Sequence, residues 1–208
     1  MKISELYRML CSLYGVSSPL DIDHYLVMAC SSGSDELVGN SDISRETLLI
    51  RQTDEALEIG LFIDPSIICA LESGDALDHL DELSCAAEGA SHFLYVADRA
   101  GKNRQVSKLE LELQGEVDKF LLIHLNAAGR YGEISPELFE RQFERHSFGP
   151  GLSEDEVERY ATASHFAAKY CSHLRSTCFN PLRMSDLKLQ ARNFFERDFP
   201  GKVARLVP

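Results

Sequence analysis

Hydrophobic residues recur at helical spacing over most of the chain. Residues 3–14 place apolar side chains at i, i+3, i+4 and i+7, and Gly15 follows as a stop signal, so an amphipathic helix is predicted there. Asp64 and Pro65 mark the start of a second helix, because Asp is a good N-cap and Pro suits the first helical position. The same period predicts further helices at about 77–98, 108–128, 136–145, 154–177 and 185–198.

Capping and stop signals set the ends of the later helices. Ser107 with Glu110, and Ser153 with Glu156, have the Ser-x-x-Glu spacing of a capping box, in which each side chain bonds the backbone N–H of the other residue. The dipeptide Pro200–Gly201 is predicted to close the last helix, since neither residue favours a helix interior.

The hydrophobic period changes to two in one part of the chain. Residues 46–52 and 56–63 flank the polar residues 53–55, and in the second run apolar residues occupy alternate positions. This pattern predicts an antiparallel hairpin with one buried face. The apolar run 22–30 suits a buried strand, with a helix as the alternative, and the Ser-, Gly- and acid-rich segment 31–42 suits a flexible connection.

These elements predict an α+β fold that is predominantly helical. A small antiparallel β hairpin or meander near the N-terminus packs on a multi-helix bundle. We expect residues 1–208 to form a single domain, because a hairpin alone is too small to be stable. A soft internal boundary is expected near 73–75, between a helix-plus-hairpin part (1–74) and a helical bundle (75–208).

Charge narrows the range of possible partners. The net charge is −12, and residues 1–100 carry 18 acidic and 5 basic side chains whereas residues 101–208 carry 15 acidic and 16 basic ones. Because an acidic half repels a phosphate backbone, we expect no nucleic-acid partner. The basic C-terminal segment has three possible positions: on the acidic half, on a partner protein, or in solvent.

Cysteine spacing and apolar run length bear on the compartment. The six cysteines include no C-x-x-C pair and mostly have apolar neighbours, which is typical of buried thiols in a reducing compartment. Glu5 and Arg8 interrupt the apolar residues at the start of the chain, and the longest apolar run, 120–123, is far too short to cross a bilayer. We therefore expect a cytoplasmic protein with no membrane partner.

Glu and His side chains form polar stripes on three predicted helices. Glu88 and His92 are four residues apart, Glu112 and Glu116 repeat that spacing on the next helix, and His165 lies on a later one. Should these stripes meet in the bundle, carboxylates and imidazoles would form a polar core suited to acid–base or metal chemistry. The five residues are therefore candidate catalytic residues. Two alternatives are solvent-facing pairs and a buried structural hydrogen-bond network.

Sequence motifs do not identify a reaction. The chain has no Glu-x-x-His, H-E-x-x-H or G-x-S-x-G pattern, so no metal ligand and no cofactor is assigned from a motif. Arg141–His146 and Arg159–His165 have the Arg-x(4–6)-His spacing used by HEPN ribonucleases. A chain with this many Arg and His residues is expected to contain such pairs by chance.

Two glycines interrupt predicted helices, each next to a glutamate. Gly in a helix interior costs about 1 kcal/mol relative to Ala, so its presence needs a structural reason. Gly89 lies among Ala, Ser and Cys, and Gly115 lies in the following helix. We expect the two helices to cross closely near these residues.

The leading functional expectation is a non-enzymatic cytoplasmic interaction module, meaning an adaptor, chaperone-like or regulatory protein. It depends on the missing catalytic motifs, the uneven charge and a hairpin edge able to accept another strand. A protein partner or self-association is expected on the same grounds. The alternative is a helical-bundle enzyme or metal-binding protein that uses the Glu/His polar core, and a HEPN-like ribonuclease is a remote third.

Overall fold

A computed structural model of the protein describes residues 1–17, 20–27, 45–53, 56–131, 136–144, 151–179 and 181–205. In this part of the chain, α-helices pack around a small sheet, and the expected α+β, predominantly helical class is confirmed. The helices are α1 (Ile3–Tyr14), α2 (Pro65–Ser73), α3 (Leu80–Gly101), α4 (Lys108–Tyr131), α5 (Pro136–Phe143), α6 (Glu154–Cys178), α7 (Met184–Phe195) and α8 (Phe199–Ala204). The strands are β1 (Leu26–Val27), β2 (Glu46–Gln52) and β3 (Leu57–Ile63).

The sheet differs in one respect from the expected antiparallel hairpin or meander. Strands β2 and β3 form the predicted hairpin, with Leu48 opposite Leu61. The strand order is β1-β3-β2, however, and β1 pairs with β3 in parallel. Ile22–Tyr25 form a 3-10 turn, because the Asp21 carboxylate accepts a hydrogen bond from the backbone of Asp23. Of the predicted strand 22–30, only Leu26 and Val27 form a strand, β1. Residues 28–30 and the connection 31–42 lie outside the described residues.

The sheet packs closely on α3 because α3 carries a glycine at the contact. A Cβ on Gly89 would lie 2.7 Å from Ile63 Cδ1 and 2.9 Å from Glu46 Cγ. Real Cβ atoms do not approach other atoms this closely, so any larger residue at position 89 would force the Ile63 and Glu46 side chains to move. The close approach at Gly89 is therefore to the sheet, and the expected crossing of α3 with α4 at that residue is wrong.

Helices α3 and α4 run antiparallel through the middle of the molecule. The contacts Tyr95–Glu110, Ser91–Asp118 and Glu88–Lys119 show this direction. The core contains both aliphatic and aromatic side chains from several helices, among them Leu6, Leu83, Phe93, Leu113, Phe120 and Phe194. No helix in the described ranges combines the length and the apolar character needed to cross a membrane.

The two predicted capping boxes differ in the structure. At the start of α6, Ser153 and Glu156 bond each other's backbone N–H as expected. At the start of α4, Ser107 Oγ accepts from the Glu110 backbone N–H at 3.1 Å, but the Glu110 carboxylate accepts instead from the Tyr95 hydroxyl at 2.5 Å. Burial of Glu110 inside the bundle directs its side chain away from the helix end.

The C-terminal segment continues beyond the predicted stop. Pro200 and Gly201 lie inside α8, and Asp198 caps this helix by accepting from the Gly201 N–H at 3.0 Å. Pro is common both in the first turn of a helix and just after a helix end. The dipeptide Pro200–Gly201 can therefore indicate either the end of one helix or the start of the next. Lys202 directly follows Gly201 in α8, and its side chain is fully buried in the protein interior.

Candidate functional site

Four elements meet at a group of charged side chains, which we call the Glu/His cluster. Strand β2 supplies the first of these side chains, α3 and α4 supply most of the others, and α6 supplies an arginine. The cluster consists of Glu46, Glu88, His92, Glu112, Glu116, Lys119 and Arg159. It therefore contains four carboxylates, two permanent cations and one imidazole.

His92 lies at the centre of the cluster and is only 9% exposed. Its Nδ1 lies 3.6 Å from Glu46 Oε1, and its Nε2 lies 4.0 Å from Glu112 Oε2. Nε2 is buried and has no hydrogen-bond partner among the described residues. A carboxylate facing one ring nitrogen favours the proton on that nitrogen, which leaves a lone pair on the other. The geometry thus presents Nε2 as a base or as a ligand.

Three side chains of the cluster converge closely enough to share an ion. One ligand atom each from Glu88, His92 and Glu112 lies within 4.8 Å of the other two. Metal–nitrogen and metal–oxygen bonds of about 2.0–2.2 Å place ligands up to about 4.4 Å apart across one ion. A small inward movement is therefore enough for all three to coordinate the same ion.

Gly115 lets the imidazole pack closely against α4. A Cβ at this position would lie 3.0 Å from His92 Nε2 and 3.8 Å from Glu88 Cγ. Any side chain on residue 115 would thus crowd the imidazole and force it to move. The atoms of α3 that lie close to Gly115 belong to the His92 and Glu88 side chains, so this glycine faces the candidate site.

Lys119 holds two of the carboxylates in place. Its ammonium donates to Glu88 Oε2 at 3.1 Å and to Glu116 Oε1 at 2.7 Å. Burial alone lowers the pKa of Lys119, but attraction to Glu88 and Glu116 outweighs it and raises the pKa well above its usual range. Lys119 is therefore a permanent cation. From α5, Gln142 also donates to the Glu116 backbone carbonyl at 2.9 Å.

The cluster attracts positive charge. Burial lowers the pKa of His92, but Glu46, Glu88 and Glu112 together raise it to about 9. Burial raises the pKa of Glu112 to about 7, against the attraction of His92 and Arg159. The metal-free cluster therefore takes up a proton near His92, and a metal ion would compete for the same position.

The structure brings together four of the five residues predicted from sequence. Glu88, His92, Glu112 and Glu116 lie in the cluster, whereas His165 is exposed on α6. On the same helix, Arg159 points into the cluster, so the HEPN-like pair Arg159–His165 does not share a site. The partner of Arg141 in the other pair, His146, lies outside the described residues.

Sequence reasoning missed Glu46, Lys119 and Arg159 as members of the cluster. Glu46 is one of several acids near the hairpin, and only the packing of the sheet on Gly89 brings it to His92. Lys119 carried a local signal, since it lies three residues after Glu116 on one helix face. Arg159 belongs to a helix start rich in exposed charges, so no local signal separates it from its neighbours.

A second polar group, which we call the Lys202 network, lies elsewhere on the same helix pair. Its members are Tyr14, Ser91, Tyr95, Arg99, Glu110, Gln114, Asp118 and Lys202. The Asp118 carboxylate accepts from the Tyr14 hydroxyl, from Ser91 Oγ at 2.6 Å and from Gln114 Nε2 at 2.9 Å. The Lys202 ammonium donates to Gln114 Oε1 at 2.6 Å and to the Tyr95 hydroxyl at 2.8 Å.

Arg99 joins this network to the C-terminal segment. Its Nη2 donates to the Tyr95 hydroxyl at 2.8 Å, to the Phe195 carbonyl and to the Arg197 carbonyl at 3.2 Å. Together with Lys202, this arginine fastens α7 and α8 to α3 and α4. The basic C-terminal segment thus places one of its cations in the protein interior.

Comparisons of the chain with protein-family models, with curated proteins and with solved structures found no match. The functional conclusion therefore depends on the geometry of the Glu/His cluster.

Proposed function

We propose that the protein binds one divalent transition-metal ion through Glu88, His92 and Glu112. The observation that carries this proposal is the buried Nε2 of His92, which has no partner among the described residues and lies between two carboxylates. Buried polar atoms in proteins nearly always have a hydrogen-bond partner, and one that lacks it calls for an explanation such as an ion. In the metal-free protein a proton on Nε2 has only the long 4.0 Å contact with Glu112, whereas a metal ion would bond Nε2 directly.

The charge of the cluster favours the same conclusion. With a neutral His92, the four carboxylates and the two cations Lys119 and Arg159 leave a formal charge of −2. Buried charge is costly unless it is compensated. One divalent ion compensates it fully, whereas protonation of His92 compensates only half.

The donor set indicates the kind of metal. Imidazole with carboxylates suits Zn²⁺, Mn²⁺ and Fe²⁺, whereas soft thiolate ligands select Cu⁺. Burial raises the pKa of the neighbouring Cys85 thiol to about 12, so it stays protonated and is a poor ligand. Glu46 supports His92 from Nδ1, as carboxylates commonly do at metal sites. Three protein ligands leave coordination positions open for water or a substrate.

Equilibrium dialysis against Zn²⁺, Mn²⁺ and Co²⁺, with metal content measured by atomic emission, tests the proposal. We expect one ion per chain in the wild type and loss of that ion in His92→Gln. The matched control is His165→Gln, since His165 is an exposed histidine outside the cluster, and it should retain the ion. Failure to bind any of the three metals stoichiometrically, or equal binding by His92→Gln with an unchanged circular-dichroism spectrum, would overturn the proposal.

The edge of the sheet favours a second candidate function, self-association by strand addition. Among the described residues β2 is an edge strand, and it exposes Leu49 (46%) and Ile50 (49%). Antiparallel pairing of β2 with β2 of a second copy would bring these apolar residues together around a two-fold axis. Sedimentation velocity tests this function: we expect a dimer that dissociates in Leu49→Lys. A wild type that is monomeric at all concentrations would contradict it.

A further inference from the structure

The Glu/His cluster contains a second buried polar atom that a metal ion does not satisfy. Arg159 Nε lies 3.8 Å from Glu112 Oε1, and Nη2 lies 3.9 Å from Glu156 Oε1. Both distances exceed that of a hydrogen bond. Nε is buried and has no hydrogen-bond partner among the described residues. Its N–H is therefore a donor without an acceptor, next to one of the proposed metal ligands.

The two unpartnered atoms have opposite requirements. In the neutral imidazole with its proton on Nδ1, which faces Glu46, His92 Nε2 carries a lone pair and needs a cation or a donor. Arg159 Nε carries a proton, so it needs an acceptor. A metal ion alone gives a partner only to His92 Nε2. A metal ion that also carries an oxygen ligand gives partners to both His92 Nε2 and Arg159 Nε.

Charge and shape decide which oxygen ligand fits. A divalent ion brings the formal charge of the cluster to zero, so a monoanion adds less repulsion than a dianion. Lys119 is already bonded to Glu88 and Glu116, which leaves Arg159 as the cation that can receive the anion. A carboxylate has one oxygen for the ion and one for a guanidinium N–H, a pairing that arginine favours.

We propose that the metal ion and Arg159 together bind the carboxylate group of a small organic acid. One oxygen takes an open position on the ion, and the other accepts from Arg159 Nε. This inference rests on the proposed metal-binding function and names the ligand class of the same site. Of the residues involved, Glu88 and Arg159 retain 27% and 19% side-chain exposure.

Titration of the Co²⁺-loaded protein with acetate, followed by the visible absorption of the ion, tests the inference. We expect acetate to change the spectrum and to bind more tightly than inorganic phosphate, which is largely dianionic at pH 8. In Arg159→Gln, Co²⁺ should remain bound while acetate affinity falls about ten-fold or more, because a charge-assisted hydrogen bond is lost. Arg159→Lys keeps the charge without the Nε–H, and we expect it to restore the affinity only in part.

Arg175→Gln is the matched control, since Arg175 lies on the same helix over the Phe139 ring and outside the cluster. It should bind acetate like the wild type. Acetate affinity that is equal in Arg159→Gln and wild type, phosphate binding that is tighter than acetate binding, or no acetate binding by the Co²⁺-loaded wild type would overturn the inference while leaving metal binding intact. A wild type that binds no Co²⁺ would overturn both proposals.

Discussion

The helix pair α3–α4 carries two buried polar groups that differ in how completely their atoms are paired. In the Lys202 network, Asp118 accepts three hydrogen bonds and Lys202 donates two. Among the described residues Arg99 Nε has no partner, but the same guanidinium bonds three oxygens through Nη2. In the Glu/His cluster, no described residue bonds His92 Nε2, and the nearest atoms of Glu88 and Glu112 converge with it closely enough to share an ion. The first group therefore stabilises the fold, and the second has the features of a binding site.

Truncation of one carboxylate in each group should separate these two roles most clearly. Asp118→Ala removes the acceptor of three buried hydrogen bonds, although Gln114 Nε2 still donates to the Tyr14 hydroxyl, and we expect it to lower the free energy of unfolding by about 3 kcal/mol or more. Glu112 accepts no hydrogen bond from the described residues, and its ionic contacts are 3.8 and 4.0 Å long. Because burial raises the pKa of Glu112 to about 7, folding does not favour its charged form, and Glu112→Ala in metal-free protein should change that energy by about 1 kcal/mol or less. Urea unfolding measures both variants.

Equal losses of unfolding free energy in Asp118→Ala and Glu112→Ala would contradict the difference between the two polar groups. They would show that the Glu/His cluster contributes to folding in the same way as the Lys202 network.

The pH dependence of metal binding tests whether His92 is a ligand in the Glu/His cluster. Because the surrounding carboxylates raise the pKa of His92 to about 9, a metal ion must displace a proton at neutral pH. We expect affinity to rise about ten-fold per pH unit between pH 7 and pH 9, and more steeply below pH 7, where Glu112 must also lose a proton. Calorimetric titrations with Zn²⁺ at several pH values measure this slope. Binding that is independent of pH would exclude His92 as a ligand.

In the Lys202 network, Lys202 should make the free energy of unfolding depend on pH. Burial, opposed by Glu110 and reinforced by Arg99, lowers the pKa of Lys202 to about 7, whereas an unfolded lysine titrates near 10.4. Between these values the unfolded state binds more protons, so the free energy of unfolding should rise with pH from about 7 to 10. Comparison of urea unfolding at pH 7.5 and 9.5 in wild type and Lys202→Met isolates this contribution.

We expect the increase to be absent from Lys202→Met, which is also about 1 kcal/mol less stable because Gln114 Oε1 loses its donor. Parallel pH profiles for the two proteins would contradict this account of Lys202.

Two glycine substitutions on α4 give the smallest expected effect on stability. Gly129→Ala adds a methyl group with no atom within 4 Å, so it should raise the free energy of unfolding by up to about 1 kcal/mol and leave metal binding unchanged. Gly115→Ala places its methyl group 3.0 Å from His92 Nε2. It should fold, with metal affinity lowered about ten-fold or more because the methyl group displaces the imidazole from its place beside Glu88 and Glu112. Normal metal affinity in Gly115→Ala would show that metal binding does not need this position of the imidazole.

Local patterns in the sequence were enough to predict most helices, because their apolar stripes and caps are short-range signals. The i, i+4 pairs Glu88/His92 and Glu112/Glu116 indicated a polar core for the same reason. His165 was wrongly grouped with them. It lies about 200° around α6 from Ala163, at 100° per residue, and Ala163 is on the buried face of that helix.

Long-range contacts were beyond such patterns. The parallel pairing of β1 with β3 involves two residue pairs, too few to produce a periodic signal. In the Lys202 network, Ser91, Gln114 and Asp118 each interrupt an apolar stripe singly. These three residues form one network only because α8 brings Lys202 into the interior. The sequence did not predict α8, since its Pro200–Gly201 dipeptide resembles a stop signal.

X-ray absorption spectroscopy of the Zn²⁺-loaded protein tests the central claim most directly, because it reports which atoms surround the ion. We expect oxygen ligands together with scattering from one imidazole ring, and loss of the imidazole contribution in His92→Gln. A spectrum without imidazole in the wild type, or one that is identical in His92→Gln, would contradict the claim that His92 Nε2 binds the metal.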